Sequence, residues 1–166
     1  GGASNSAYTT SKFSLQVARY LRIYQVTDLF GISGGPIDVE TVVQNLIDGV
    51  ALTVTDLITA LFPNIASSVG TSGAALDVDK IYDGMYTLNL NSVPGTYTCV
   101  LKAKQINQFR SDLRTEGGPI QWVAATADLL QSKGPGFQGS WNGVDFYQSD
   151  SVTDDSTDFS GAMYGN

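Results

Sequence analysis

The sequence predicts an α+β fold, and three stretches of the chain support that prediction. Residues 12–29 alternate apolar and polar side chains at period two, which is typical of a long extended strand. Apolar residues of 38–62 recur at helical spacing as far as Pro63, which predicts one long helix. Within 97–114 the period changes from two to helical, so a strand passes directly into a helix. We therefore expect a long strand, a long helix and a smaller lobe of mixed sheet and helix.

The first of these stretches, residues 12–29, is predicted to project from the molecule. Helical spacing is a competing interpretation, which ranks second because the β-branched and aromatic content favours a strand. A strand this long, preceded by the polar residues 1–11, would extend beyond a small core. Projecting strands commonly pair with another chain, so this segment is the first candidate for contact between molecules.

The predicted long helix follows the loop "GISGGPID", with Asp38 as its N-cap. At 1.5 Å per residue it would be roughly 36 Å long. Gly49 weakens a helix by about 1 kcal/mol relative to alanine, so we expect a bend near Asp48 and Gly49. The apolar band is wider than a single seam, which predicts that the helix is covered on more than one side.

The rest of the chain is predicted as short elements around glycine-containing turns. These are a helix over 76–90, a strand over 97–103, a helix over 105–114, a helix over 122–131, a hairpin or bulge at Trp141-Asn142-Gly143-Val144, and loop over 153–166. No internal repeat is visible.

Length and charge narrow the class of protein. The 166 residues suffice for one compact unit, and the net charge of -7 would repel a phosphate backbone, which argues against a dedicated nucleic-acid binder. The charge is uneven, because residues 1–37 carry three cations and one aspartate, whereas 135–166 carry five aspartates and no base. Opposite ends could attract each other between copies; the alternative is that both are solvated surfaces.

The chain contains no histidine and a single cysteine, Cys99. Serine and cysteine nucleophiles that depend on histidine are therefore excluded, as are the usual zinc sites and an imidazole switch. Cys99 lies in an apolar strand, where a thiol packs as a small hydrophobe. We predict neither enzymatic activity nor a cofactor.

Three groups of side chains could carry chemistry, and each has a plainer alternative. An aspartate cluster could bind calcium or act as a glycosidase pair, but a solvated loop is the usual outcome of such a sequence; it comprises Asp145, Asp150, Asp154, Asp155 and Asp158. Lys102, Lys104 and Arg110 could hold an anion at a helix N-terminus, or they could solvate a surface corner. Trp122, Trp141 and Tyr147 could stack on sugar, although core or interface packing is the more common role of such aromatics.

The sequence indicates neither a membrane span nor a signal peptide. No apolar run reaches spanning length without polar interruption, and the start "GGASNSAYTT" is not a signal peptide. The chain begins at Gly1 without a methionine, so we expect a processed product or part of something longer.

The order of these elements resembles the major capsid proteins of tailed bacteriophages, of the Hong Kong 97 (HK97) type. The resemblance lies in "YQVTDLFGISGGPIDVETVVQNLIDGVALTVTDLITALF", in "TYTCVLKAKQINQFRSDL" and in "GPGFQGSWNGVDFYQSDSV". These are similar to the extended loop running into the spine helix, to the strand and helix that open the axial domain, and to a glycine-bounded strand near its end. The likeness covers about residues 12–152 in order, although Ala103 stands where the family commonly has proline.

The resemblance implies an HK97-like division of the chain. Residues 1–35 would form the extended-loop arm and return strand, 36–96 the spine helix and peripheral region, 97–152 the axial domain, and 153–166 a loop leading to a missing C-terminal segment. The candidate contacts between subunits are Lys12, Phe13, Leu15, Arg19, Arg22 and Asp28.

It also implies a structural function. The protein would assemble into hexamers and pentamers of an icosahedral virion shell around phage double-stranded DNA, without sequence-specific DNA binding, after assembly in the host cytoplasm. Its partners would be copies of itself, together with scaffolding, portal or decoration proteins, and no membrane. The alternative is a secreted carbohydrate-binding or adhesive module.

Overall fold

The structure, a computed structural model, is a mixed α+β fold, which confirms the predicted class; its described residues form four α-helices and a mixed five-stranded sheet. It describes residue 21 and residues 39–65, 67–93, 95–116, 121–154 and 158–165. In chain order the elements are α1 (Val39–Thr59), a 3-10 turn (Phe62–Asn64), α2 (Val78–Leu90), β1 (Tyr97–Leu101), α3 (Ala103–Glu116), β2 (Val123–Ala124), α4 (Ala127–Lys133), β3 (Phe137–Trp141), β4 (Val144–Gln148) and β5 (Ala162–Gly165). The chain divides into two compact units, 1–50 and 51–166, and α1 crosses their boundary.

The predicted long helix is present as α1, whose 21 residues run through Gly49 in one helical element. It ends at Thr59, four residues before the predicted limit, Pro63. Pro63 lies in the 3-10 turn that follows, where its missing N–H group is not needed. The predicted N-cap, Asp38, lies outside the described residues.

The start of α2 is fixed by two carboxylates. Asp77 is the N-cap and accepts a hydrogen bond of 2.8 Å from the Lys80 N–H group. Asp112 of α3 accepts one of 2.9 Å from the Val78 N–H group. Both carboxylates satisfy N–H groups that have no partner within the helix, and Asp112 ties α2 to α3.

The sheet has the strand order β2-β3-β4-β1-β5. Strands β1 and β4 are parallel, with Cys99 opposite Phe146, and all other pairs are antiparallel. The predicted hairpin is confirmed, because Asn142 and Gly143 connect β3 to β4 with φ values of 48° and 78°. Positive φ at both positions is what a two-residue hairpin turn requires, and the Asn-Gly pair adopts it readily.

A close approach of the chain to itself explains a second glycine, Gly139 in β3. A Cβ atom there would lie 2.5 Å from the Val123 carbonyl oxygen and 2.6 Å from the Trp122 ring, and the φ angle is 150°. The register between β3 and β4 also shifts between Phe137 and Gly139. The bulge and the absent side chain together let the Trp122 ring lie against β3.

An aromatic cluster forms the core between α3 and the sheet. Phe109 of α3 is fully buried and stacks on Phe146, with ring centroids 5.0 Å apart and an interplanar angle of 21°. Trp141 meets Phe109 edge to face at 5.4 Å, and Trp122 lies 5.2 Å from Phe146. Val78 and Ile81 of α2 complete the cluster, so residues of two helices and six strand residues share one apolar core.

Two predicted elements differ from the structure. The helix expected over 122–131 is instead the short strand β2 followed by α4, because the Thr126 hydroxyl caps α4 by accepting from the Leu129 N–H group. The segment 153–166, predicted as loop, contains β5, which pairs antiparallel with β1. The prediction was wrong there because the strand that follows the polar residues 153–160 has only four residues, Ala162–Gly165.

Candidate functional site

The contacts predicted between subunits cannot be placed. Their six positions lie outside the described residues and stay a prediction: Lys12, Phe13, Leu15, Arg19, Arg22 and Asp28.

The strongest candidate site among the described residues is one side of α1. At 100° per residue, the large aliphatic side chains of α1 other than Leu52 occupy one half of its circumference, and we call the exposed set in that half the apolar face. The apolar face consists of Val43 (48 % exposed), Ile47 (55 %), Val50 (50 %), Val54 (50 %), Leu57 (39 %) and Ile58 (53 %). Exposure of so many neighbouring aliphatic side chains marks a surface that another surface covers.

The opposite side of α1 is mainly polar and carries one exposed aliphatic side chain, Leu52. The Gln44 amide donates a 2.9 Å hydrogen bond to Asp48, and the Thr55 hydroxyl donates a 2.9 Å bond to the Ala51 carbonyl. Thr59 is buried and bonds the Thr55 carbonyl at 3.0 Å. The helix is therefore amphipathic, and its polar groups are satisfied locally while its apolar face is left open.

The same helix also meets a membrane criterion. Together with the following turn, the stretch Glu40–Asn64 has the length and composition of a helix able to cross a bilayer, and little of it is buried. This length and composition oppose the prediction from the sequence that the chain does not contact a membrane. They are weak evidence for a membrane span, because Asp48 and Asp56 both lie inside the helix.

The corner between β1 and α3 binds part of the chain itself. The Gln105 side chain accepts a 3.0 Å hydrogen bond from the Lys102 N–H group, which caps α3, and donates one of 2.9 Å to the Phe159 carbonyl. Lys102 pairs with Asp154 at 3.1 Å, and the ammonium groups of Lys102 and Lys104 lie 5.4 and 5.1 Å from the Phe159 ring centroid. The corner thus fastens the segment that leads into β5.

The predicted anion-binding trio is separated by these contacts. Lys102 faces Asp154, Lys104 faces Phe159, and the Arg110 guanidinium lies 5.4 Å from the Trp122 ring centroid. Lys102 and Lys104 share the Phe159 ring, whereas Arg110 lies over a different ring, so the three cations do not converge on one ligand.

The aromatic residues proposed for sugar stacking are used inside the fold. Trp141 is 4 % exposed and contacts Phe109, so its faces are not open to a ligand. Trp122 is half-buried in the same cluster, and the Tyr147 hydroxyl donates to the Lys133 carbonyl at 3.3 Å. The structure does not bring these three rings together as a platform.

Three of the predicted aspartates, Asp145, Asp154 and Asp158, likewise have structural partners. Asp145 is buried and forms an ion pair with Lys133, and Asp158 accepts hydrogen bonds from the Ser72 hydroxyl and, at 2.6 Å, from the Gly73 N–H group. Asp155 lies outside the described residues. Within the part of the chain that the structure describes, no cluster of three potential metal ligands is found.

Cys99 packs in the core, as predicted from its strand. Burial raises the pKa of its thiol to about 12, since a thiolate would lose its hydration there. It is therefore protonated and unreactive near neutral pH.

Comparisons with protein-family models, with curated proteins and with solved structures found no match.

Proposed function

We propose that this chain is a structural protein that assembles with copies of itself, as the major capsid protein of a tailed bacteriophage with an HK97-like fold. The observation that carries the proposal is the exposed apolar face of α1. The order of long helix, strand-to-helix corner and glycine-bounded hairpin supports the same family. The protein would form the shell around double-stranded DNA, with scaffolding, portal or decoration proteins as further partners.

The energy available from the apolar face favours many weak contacts over one strong contact. Full burial of a large aliphatic side chain contributes about 1.5 to 3 kcal/mol, so six half-exposed side chains offer on the order of 5 to 9 kcal/mol. Association costs roughly 4 to 15 kcal/mol in lost rigid-body freedom. The apolar face alone therefore supports a weak interface, which a closed shell repeats many times until the sum is stable.

Insertion of α1 into a bilayer is the competing use of the same surface. An aspartate near the centre of a spanning helix costs about 2.5 to 3.5 kcal/mol, and each large aliphatic residue returns only about 0.3 to 0.6. Asp48 and Asp56 therefore offset the gain from roughly ten such residues. A helix with one polar side suits a protein partner better than a lipid environment on all sides.

Charge is compatible with a container for DNA. The chain carries a net charge of -7, which disfavours adhesion to phosphates. An acidic shell protein would let packaged DNA move along it without strong binding.

The proposal is tested by the assembly state. Size-exclusion chromatography with light scattering, followed by negative-stain electron microscopy, should show capsomers or shells for the unmodified protein. The double variant Ile47→Asp/Val54→Asp on the apolar face should lose these assemblies, because it places two charges in the covered interface. The matched control Gln44→Asp/Thr55→Asp changes the polar side and should keep them.

Circular dichroism should show that both variants keep the helical content of the parent. A folded protein that stays monomeric at high concentration would overturn the proposal. Sedimentation with lipid vesicles that requires Ile47 and Val54 would instead assign the apolar face to a membrane.

A further inference from the structure

A cavity of about 330 Å³ lies between the loop preceding α2 and the first turns of α3. Its floor is the small-residue loop over 68–76, and its cationic wall is formed by Lys80 of α2 and Lys104 of α3. Volumes of this size are typical of small-ligand sites. Both elements belong to the same compact unit, so the cavity is a feature of one folded body.

Two donors of the cavity have no polar partner. The side chains of Lys104 and Gln108, one turn apart on α3, form no hydrogen bond or ion pair with any other residue that the structure describes. Lys80 has a single ionic partner, Asp83, at 3.6 Å across an exposed turn of α2, and such a contact contributes little. The wall therefore offers two ammonium groups and an amide to a ligand.

Two acceptor side chains around the cavity already have partners. Asp158, the carboxylate among the described lining residues, accepts hydrogen bonds from the Ser72 hydroxyl and the Gly73 N–H group. The Gln105 amide is used by the Lys102 N–H group and the Phe159 carbonyl. The ammonium groups beside them keep free donors, and free donors are what an anion requires.

We propose that this cavity binds a small oxyanion, such as a phosphate, sulfate or carboxylate group, through Lys80, Lys104 and Gln108. The two lysines come from different helices and are 24 positions apart in the sequence, so no sequence motif indicates the site. In a chain with a net charge of -7, two lysines that line one cavity, with one weak ionic partner between them among the described residues, form a locally favourable place for negative charge. The inference does not depend on shell assembly.

Calorimetric titration of the protein with inorganic phosphate, at constant ionic strength, tests the proposal. We expect saturable binding of one phosphate, and we expect Lys104→Met or Lys80→Met to weaken it about tenfold, the effect of removing one charge-assisted hydrogen bond. Arg114→Met is the matched control, because Arg114 is an exposed cation at the far end of α3, and it should leave binding unchanged. Separate titrations with sulfate and with acetate distinguish a tetrahedral dianion from a carboxylate as the preferred ligand.

Amide chemical shifts locate the bound ion. Phosphate should shift the amide signals of Gly70 and Gly73 and those of the first turns of α3. Thermal unfolding without phosphate checks that each variant is folded. Absence of saturable binding, or equal binding by the parent and Lys104→Met, would overturn the site whether or not the protein assembles.

Discussion

Helices α1 and α3 are both amphipathic, but the apolar side of α3 is buried and that of α1 is exposed. In α3, Ile106 and Phe109 are buried against the sheet. In α1, Ile47 and Val54 are half exposed, like the rest of the apolar face. An amphipathic pattern indicates that a helix face will be covered, and it does not indicate which molecule covers it.

The difference follows from what lies beside each helix. The sheet residue Phe146 fills the space next to α3, and aromatic stacking completes that core within one chain. Among the described residues nothing comparable covers the apolar face of α1, which copies of the chain would cover under the proposed function.

The most severe test of this contrast compares one apolar residue from each helix. Phe109→Ala should lower the free energy of unfolding by about 3 to 5 kcal/mol, since it opens a cavity in the aromatic core. Ile47→Ala should change the free energy of unfolding of the dispersed protein by less than about 1 kcal/mol. Urea unfolding of both variants measures the difference, and equal losses would mean that α1 is covered within its own chain.

A smaller effect is expected from the packing of Trp122 against β3. Gly139→Ala should destabilise the protein by about 2 kcal/mol, because its Cβ atom would collide with the Val123 carbonyl and the Trp122 ring. Gly143→Ala has open space around its Cβ atom and should cost only about 1 kcal/mol, through its positive φ angle. Thermal unfolding of the two variants ranks them, and the reverse order would show that turn strain outweighs the contact.

Burial of the Cys99 thiol in the core makes the free energy of unfolding depend on pH. Burial raises the pKa of Cys99 from its ordinary value of 9.0 to about 12 in the folded protein. Between these two values the folded state keeps a proton that the unfolded state releases. The associated stability is fully present below pH 9 and falls as the pH rises towards 12, by about 1 kcal/mol per pH unit. Urea unfolding from pH 8 to pH 11 should show a shallower decline for Cys99→Ala, and parallel curves for both proteins would contradict the burial.

The smallest effect is expected at the surface corner. Lys102→Met removes the ion pair with Asp154 but keeps the aliphatic stem beside Phe159, so it should cost about 0.5 kcal/mol or less. Raising the salt concentration should reduce the difference further, since exposed charges are screened. A loss comparable to that of Phe109→Ala would show that the corner is part of the core.

Local patterns in the sequence sufficed for most elements. The helical spacing of 38–62, the change of period near Lys102 and the Asn142-Gly143 pair each predict the element that the structure contains. In these places the local preference and the tertiary environment agree. The helix expected over 122–131 was misplaced because Trp122 serves the aromatic core instead of a helix.

Contacts between distant segments could not be predicted. The sequence does not indicate that Lys80 and Lys104 line one cavity, or that Asp158 binds the loop at Gly73. Both arrangements depend on how α2, α3 and the final strand pack. The exposed state of the α1 apolar face was not predicted either, since the wide apolar band was interpreted as a helix covered on more than one side.

Strand β5 is the edge strand next to β1, so the sheet can be completed only after Ala162–Gly165 has been synthesised. Tyr97 and Gly165 are partners across β1 and β5, so β1 leaves the ribosome long before the strand that covers its outer edge. Until then the hydrogen-bonding groups on that edge of β1 are open to any extended peptide nearby. Premature termination before Ala162 would leave this edge permanently bare, so truncated chains should be the ones that aggregate or are degraded in the cell.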